Sequence, residues 1–198
     1  MNDVGFSLRE ELRAQRELLI ARFQQAGHVG VLLRGLARVV DQMVARAARD
    51  SGVAQYATLI AVGGYGRGEL FPQSDVDVLI LTADAPDDSQ LAGIEGLIGQ
   101  LWDMGLHLGH SVRTIDECRT EAANDVTVLT SMLEARYIIG PRGRYGEFGR
   151  AIVGSFDAQA FFRAKLLEQQ QRHTKFQDTP YRLEPNCKES PGGLRALQ

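Results

Sequence analysis

Two apolar runs joined by a glycine-rich connection constrain this chain more than anything else in it. Residues 57–63 read ATLIAVG, residues 64–74 read GYGRGELFPQS, and residues 75–82 read DVDVLILT. A strand exposed on one face alternates apolar and polar side chains. A strand covered on both faces is apolar throughout. Both runs are of the second kind, so they predict two buried strands with a glycine turn after the first.

The flanking patterns place helices around those strands. Residues 7–50 have helical periodicity, interrupted at Gly27-His28. Leu8, Leu12, Leu18, Leu19 and Phe23 mark a first helix, which Ser7 and Glu10 would open as a capping box. Leu32, Leu33, Leu36, Val39, Val40, Met43 and Val44 mark a second helix over 29–50. Residues 83–90 read as a loop and 89–103 as a helix. In 105–113 (GLHLGHSVR), Leu106, Leu108 and Val112 alternate with His107, Ser111 and Arg113, the pattern of a third strand. His110 falls on the side of Leu106 and Leu108, as a core histidine would. Further helices are expected over 125–135 and 157–175. The order predicts an α/β (α+β) fold with a small sheet. It divides into an N-terminal helical region (1–52), a core (53–140) and a C-terminal helical segment (141–198).

Composition excludes several classes. Net charge is −3, so no overall basic field points to nucleic acid. No apolar run approaches the ~20 residues of a membrane span. The first fifteen residues lack the basic and apolar regions of a signal peptide. Cys118 and Cys187 have no metal-ligand spacing and read as reduced thiols of a cytoplasmic protein.

Chemistry concentrates around the two strands. Gly63-Gly64 directly follows the first, where absent side chains let a ligand approach backbone N–H groups. No Gly-Lys-Ser/Thr follows, so this is not a Walker A loop. Asp75 and Asp77 stand at i and i+2, on one face of the second strand. Two carboxylates so close repel unless a cation lies between them. Hard oxygen ligands suit Mg²⁺, which commonly completes its shell with substrate phosphates. A phosphate cradle and a paired-carboxylate metal site therefore flank two buried strands. Ser74 stands just before the first aspartate, and Arg67 stands two residues before Glu69.

Residues 62–81, VGGYGRGELFPQSDVDVLIL, resemble the signature of the nucleotidyltransferase superfamily that includes DNA polymerase β. With LWDMGLHLGHSVRTIDEC (101–118), TSMLEARYIIG (130–140) and LEPNCKESPGGLRALQ (183–198), the chain more closely resembles the bifunctional PII uridylyltransferase/uridylyl-removing enzyme family. The resemblance implies a small mixed sheet of the nucleotidyltransferase fold. It implies transfer of UMP from UTP to a tyrosine of the PII signalling protein. Gly63 and Gly64 would contact phosphates, and Asp75 and Asp77 would hold Mg²⁺. Ser74 would bond a phosphate or cap the strand, and Arg67 would face the triphosphate, pair with Glu69 or remain a solvated structural arginine. Lys188 and Arg195 would reach the triphosphate or the PII surface, or else remain solvated loop charges.

The chain departs from that family at two points. Relatives carry an acidic residue where His107 stands, and an aspartate where Ala196 stands. His107 is then a catalytic base, a metal contact or a solvent-face residue; Asp116 or Glu117 would be the substitute carboxylate. The chain also stops at Gln198 without a His-Asp dipeptide, so it is expected to lack uridylyl removal and glutamine sensing. Exposed Phe161, Phe162, Leu166 and Leu167 would mark the face that a further helical region covers. Two alternatives stand beside the transferase: a nucleotide- or PII-binding module without turnover, and a nucleotidyltransferase with another acceptor, such as an adenylyltransferase.

Overall fold

The structure is a computed structural model that describes residues 3–154 and 156–175. The chain divides into two compact units, Met1–Gly154 and Ser155–Gln198. The first begins with α1 (Asp3–Ala26) and α2 (Val29–Asp50). Gly27 reverses the chain between them with φ +71°, a conformation that glycine adopts without a Cβ penalty. α1 already runs through Ser7, so the helix does not begin at that residue as the expected capping box required. A cap contributes only about 1 kcal/mol, so a short local signal yields readily to continued helix.

Strands β1 (Thr58–Ala61), β2 (Val76–Leu81), β3 (Leu108–Arg113) and β4 (Arg136–Ile139) form one mixed sheet in the order β3-β2-β1-β4. β1 is antiparallel to β2 and β4, whereas β2 and β3 are parallel. Parallel strands need a crossover, and α4 (Asp88–Asp103) lies within it, opened by a capping box between Asp87 and Gln90.

Helices cover both faces of the sheet, which accounts for the unbroken apolar runs of β1 and β2. Leu59, Ala61, Val76, Val78 and Ile80 pack with Leu36, Val40 and Val44 of α2 and Leu97 and Leu101 of α4. On the opposite face Ile60, Leu79 and Leu81 pack with Cys118, Ala122, Met132, Phe148 and Ile152. These come from α5 (Ile115–Asn124), α6 (Val126–Leu133) and α7 (Arg142–Gly154). The buried Cys118 is a free thiol, and burial pushes its pKa up to about 11.

Two helices on this side open on local caps. Thr114 and Glu117 form the capping box that starts α5, and Asp125 caps α6 through the N–H groups of Thr127 and Val128. β4 is too short for its periodicity to stand out.

In the second unit, α8 (Ala158–Lys175) starts where Asp157 accepts bonds from the N–H groups of Gln159 and Ala160. Phe162, Leu166 and Leu167 are exposed on it, as expected, while Phe161 is half-buried. Among the described residues no helix is long and apolar enough to cross a membrane.

Candidate active site

The glycine turn after β1 folds into the single helical turn α3 (Gly63–Gly66). Gly63 opens it with φ +59°, which L side chains rarely adopt. Gly66 is held to glycine by space, since a Cβ there would strike the Glu134 carbonyl. Between them Tyr65 is only 1% exposed and points away from the turn, into the first core. Its hydroxyl donates to Asp41 Oδ1 at 2.6 Å. Arg136, at the start of β4, donates to both Asp41 oxygens at 2.7 and 3.1 Å. The same guanidinium donates to the Tyr65 and Gly66 carbonyls at 3.1 and 3.2 Å, and lies 5.3 Å from the Tyr65 ring centre. Burial, then the Asp41 carboxylate, hold the Tyr65 phenol well above its ordinary range. Burial opposes the Arg136 charge, but Asp41 and Tyr65 together more than offset it, and the net pKa is raised. The Asp41–Arg136 pair is only half-buried, so solvent offsets part of the cost of holding two charges there.

The aspartate pair sits where β2 begins. Asp75 is exposed, one residue before the strand; Asp77 is half-buried on the side of Leu79 and Leu81. Asp77 is paired in register with Gly109 of β3. A Cβ on Gly109 would collide with Asp77 Oδ1, so the carboxylate occupies the space that a side chain there would take. A methyl on Gly63 would lie 3.6 Å from Asp77 Oδ2 and 3.7 Å from Ser131 Oγ. The glycine turn, the second aspartate and α6 thus meet at one point.

That point lies on a cleft of about 390 Å³ between the sheet and α6. Val62, Leu79, Val128 and Met132 contribute apolar wall, and Ser111, Arg113, Thr127 and Ser131 bring polar groups to it. Arg113 donates to Glu121 across a long 3.4 Å. A few polar groups on an apolar wall, in a volume of about 300–1,000 Å³, is the usual character of a small-molecule site.

The other expected residues fall in different places. His107 is exposed immediately before β3, and its carbonyl accepts from the Val76 N–H at 2.7 Å. Asp75 and His107 thus each precede a residue of the Val76–Leu108 pair. Ser74 is half-buried, and its N–H donates to the Phe71 carbonyl. Arg67 pairs with Glu69 at 3.2 Å and with Glu134 at 2.6 Å, which ties the turn to the end of α6. Lys188, Arg195 and Cys187 lie outside the described residues.

Two expectations need correction. His110 is not a core residue: β3 is an edge strand, and the ring is exposed with its edge toward Trp102 at 5.8 Å. Alternation identified its face correctly but not whether anything covers that face. Nor do Asp116 and Glu117 supply a further carboxylate to the aspartates. Glu117 is held by Thr114 in the α5 cap, and Asp116 pairs with Arg119 at 3.6 Å. Among the described residues no three His, Cys, Asp or Glu side chains converge on a metal position. The donors that remain, the carboxylate of Asp77 on the cleft and that of exposed Asp75 two residues before it, are hard-oxygen ligands that fit an ion taking most of its shell from substrate and water.

Some site residues escaped the sequence reading. Gly109 is a glycine inside a strand, a recognised sign of close approach by another group. Asp41 is an acid beside the apolar stripe of α2. Thr127 and Ser131 carry no such mark.

A nucleotidyltransferase domain model matches residues 40–129, and a GlnD PII-uridylyltransferase model matches residues 160–198. The chain is 53% identical over 97% of its length to a bifunctional uridylyltransferase/uridylyl-removing enzyme of Ralstonia nicotianae. It is 52% identical over 96% of its length to that of Bordetella avium. It spans about 22% of the length of each of these relatives. Among solved structures, a complex of the Shewanella oneidensis HEPN toxin with the MNT antitoxin is 12% identical, covering 72% of this chain and 97% of that one, with a TM-score of 0.39. That likeness is too slight to bear on function. The glycine turn, the aspartate of β2 and their close relatives agree: this chain belongs to the bifunctional uridylyltransferase/uridylyl-removing enzyme family and carries its nucleotidyltransferase domain.

Proposed function

We propose that this chain provides a Mg²⁺-dependent uridylyltransferase site that moves UMP from UTP to a tyrosine of PII and releases pyrophosphate. The observation that carries the reading is the meeting of Gly63, Asp77 and Ser131 at the mouth of one cleft, in a chain whose close relatives are named uridylyltransferases.

Asp75 and Asp77 would hold the metal, which when bound supplies positive charge against the phosphates and the attacking oxygen. Gly63 and Gly64 would present backbone to the phosphates, with Ser131 beside Gly63 as a hydroxyl donor and Ser74 as a second candidate. The acceptor oxygen forms a bond to the α-phosphorus as the bond from that phosphorus to the bridging oxygen breaks. The electron pair leaves on pyrophosphate. His107, exposed beside the start of β2, is the candidate base for the tyrosine proton, since a neutral imidazole nitrogen can accept it. Lys188 and Arg195 are the candidate triphosphate contacts from the C-terminal segment. We assign Arg67 a supporting role, because its guanidinium is engaged by two glutamates.

A second reading, a nucleotide- or PII-binding module without turnover, is favoured by one observation: no third carboxylate joins Asp75 and Asp77 among the described residues. Incubation with α-labelled UTP, Mg²⁺ and PII separates the two. Label on PII, lost in Asp77→Asn, is the expected result. UTP binding by calorimetry without any label on PII would establish the second reading. Competition by ATP in place of UTP would point to a different acceptor system.

A further inference from the structure

From the geometry behind the glycine turn we infer that Asp41, Tyr65 and Arg136 are positioning residues for nucleotide binding: they set the place of the Gly63–Gly66 turn against Asp77. This rests on the reading above, that the turn and Asp77 serve one nucleotide. The three residues come from separate parts of the chain, α2, α3 and β4. None lines the cleft, so any effect on nucleotide must pass through the turn.

Backbone hydrogen bonds close the turn on itself and Arg67 ties its end to Glu134, but these three residues are what fasten it to α2 and β4. The turn is four residues long and three of these are glycine. Glycine carries the highest conformational entropy of any residue, so a glycine turn does not order itself. Its forward side meets Asp77 and Ser131 across 3.6 and 3.7 Å at Gly63. Its rear side is anchored at four points: the Tyr65 hydroxyl on Asp41, the planar fork of Arg136 on the same carboxylate, and two Arg136 bonds to the Tyr65 and Gly66 carbonyls. The fork geometry is specific to arginine; a lysine supplies the charge without the two-pronged contact. Asp41 is therefore the hub, and a shift of its carboxylate moves the turn relative to the aspartate it faces. Misplacement of about 1 Å at a reacting centre is enough to cost roughly two orders of magnitude in rate.

The test uses the whole chain as Tyr65→Phe, Asp41→Asn and Arg136→Lys, with Val44→Ala as the control. Val44 is buried in the same helix as Asp41, and its side chain has no hydrogen-bonding group and so makes none of the anchoring bonds. Two quantities are read at a temperature where circular dichroism shows each variant folded: the dissociation constant of Mg²⁺–UTP by calorimetry, and amide hydrogen exchange of a peptide spanning residues 62–70 without nucleotide. The expected result is about tenfold weaker UTP binding and about tenfold faster exchange in that peptide for the three variants, with Arg136→Lys failing to rescue. Val44→Ala is expected to change neither. Faster exchange with unchanged UTP binding, or effects matched by Val44→Ala, would reduce the network to a structural role and overturn the inference. Wild-type chain that binds no UTP would overturn the functional reading itself, and the inference with it.

Discussion

A methyl group on Gly109 would occupy the space that the Asp77 carboxylate takes across the β2–β3 pair. The backbone at Gly109 does not need glycine for its dihedral angles, since it is absent from the positive-φ residues. Only the carboxylate needs the room. Gly109→Ala should therefore leave stability within about 1 kcal/mol of wild type, because a side-chain tip can swing aside. It should lower UMP transfer by about 100-fold through displacement of that carboxylate. Urea unfolding and the transfer rate check the two halves. Full activity in Gly109→Ala would show that the position of Asp77 is not critical.

Asp75→Asn tests the metal role from the exposed member of the pair. Asp75 is accessible at the strand start, so its replacement should alter folding stability by no more than about 0.5 kcal/mol. Loss of one charge from a metal site should lower transfer by about 100-fold or more. A large drop in the melting temperature of the metal-free variant would instead assign Asp75 a structural function.

The Tyr65 phenol predicts an alkaline limb of the stability profile. Its pKa is raised in the folded chain, by burial first and Asp41 second. The unfolded phenol ionises near ~10, so the contribution of Tyr65 is intact below that pH. It is lost as pH rises from there toward the folded-state pKa. Tyr65→Phe should flatten this decline, and the absorbance of folded wild type at 295 nm should show no extra tyrosinate relative to the variant near pH 10. Equal alkaline slopes in the two proteins would contradict the buried hydrogen bond.

Arg67 bridges Glu69 and Glu134 at a partly exposed position. Such pairs contribute about 0–1 kcal/mol, so Arg67→Ala should cost no more than that. A double-mutant cycle with Glu134→Ala should return a positive coupling within the same range. Zero coupling would mean that the 2.6 Å contact is not populated in solution.

Much of the scaffold was legible because its signals are local. The apolar stripe of α2, from Leu32 to Val44, follows from 3.6-residue periodicity, and α2 runs from Val29 to Asp50 as its pattern indicated. β1 and β2 were legible as doubly covered strands, since their residues alternate between two cores that are both apolar. β4 and α7 were not, because a four-residue strand and a helix with five polar or glycine residues in its first turn and a half (RGRYGE) present little periodicity. The surroundings of His110 were missed for another reason: alternation assigns a face, but the position of β3 at the sheet edge decides exposure.

By itself, the sequence determined that a glycine turn follows one buried strand and that two aspartates open another, since covalent neighbours and strand alternation fix such relations. It also carried the family, because the segments that resemble it are continuous stretches of chain. Only the tertiary structure decided what meets those residues. Asp77 opposes Gly109 through the register of a parallel pair thirty-two residues apart. Asp41 reaches Tyr65 and Arg136, 24 and 95 residues away, through the packing of α2 against the sheet. Long-range contacts of this kind depend on strand order and helix placement, which the whole core sets cooperatively and no local pattern encodes.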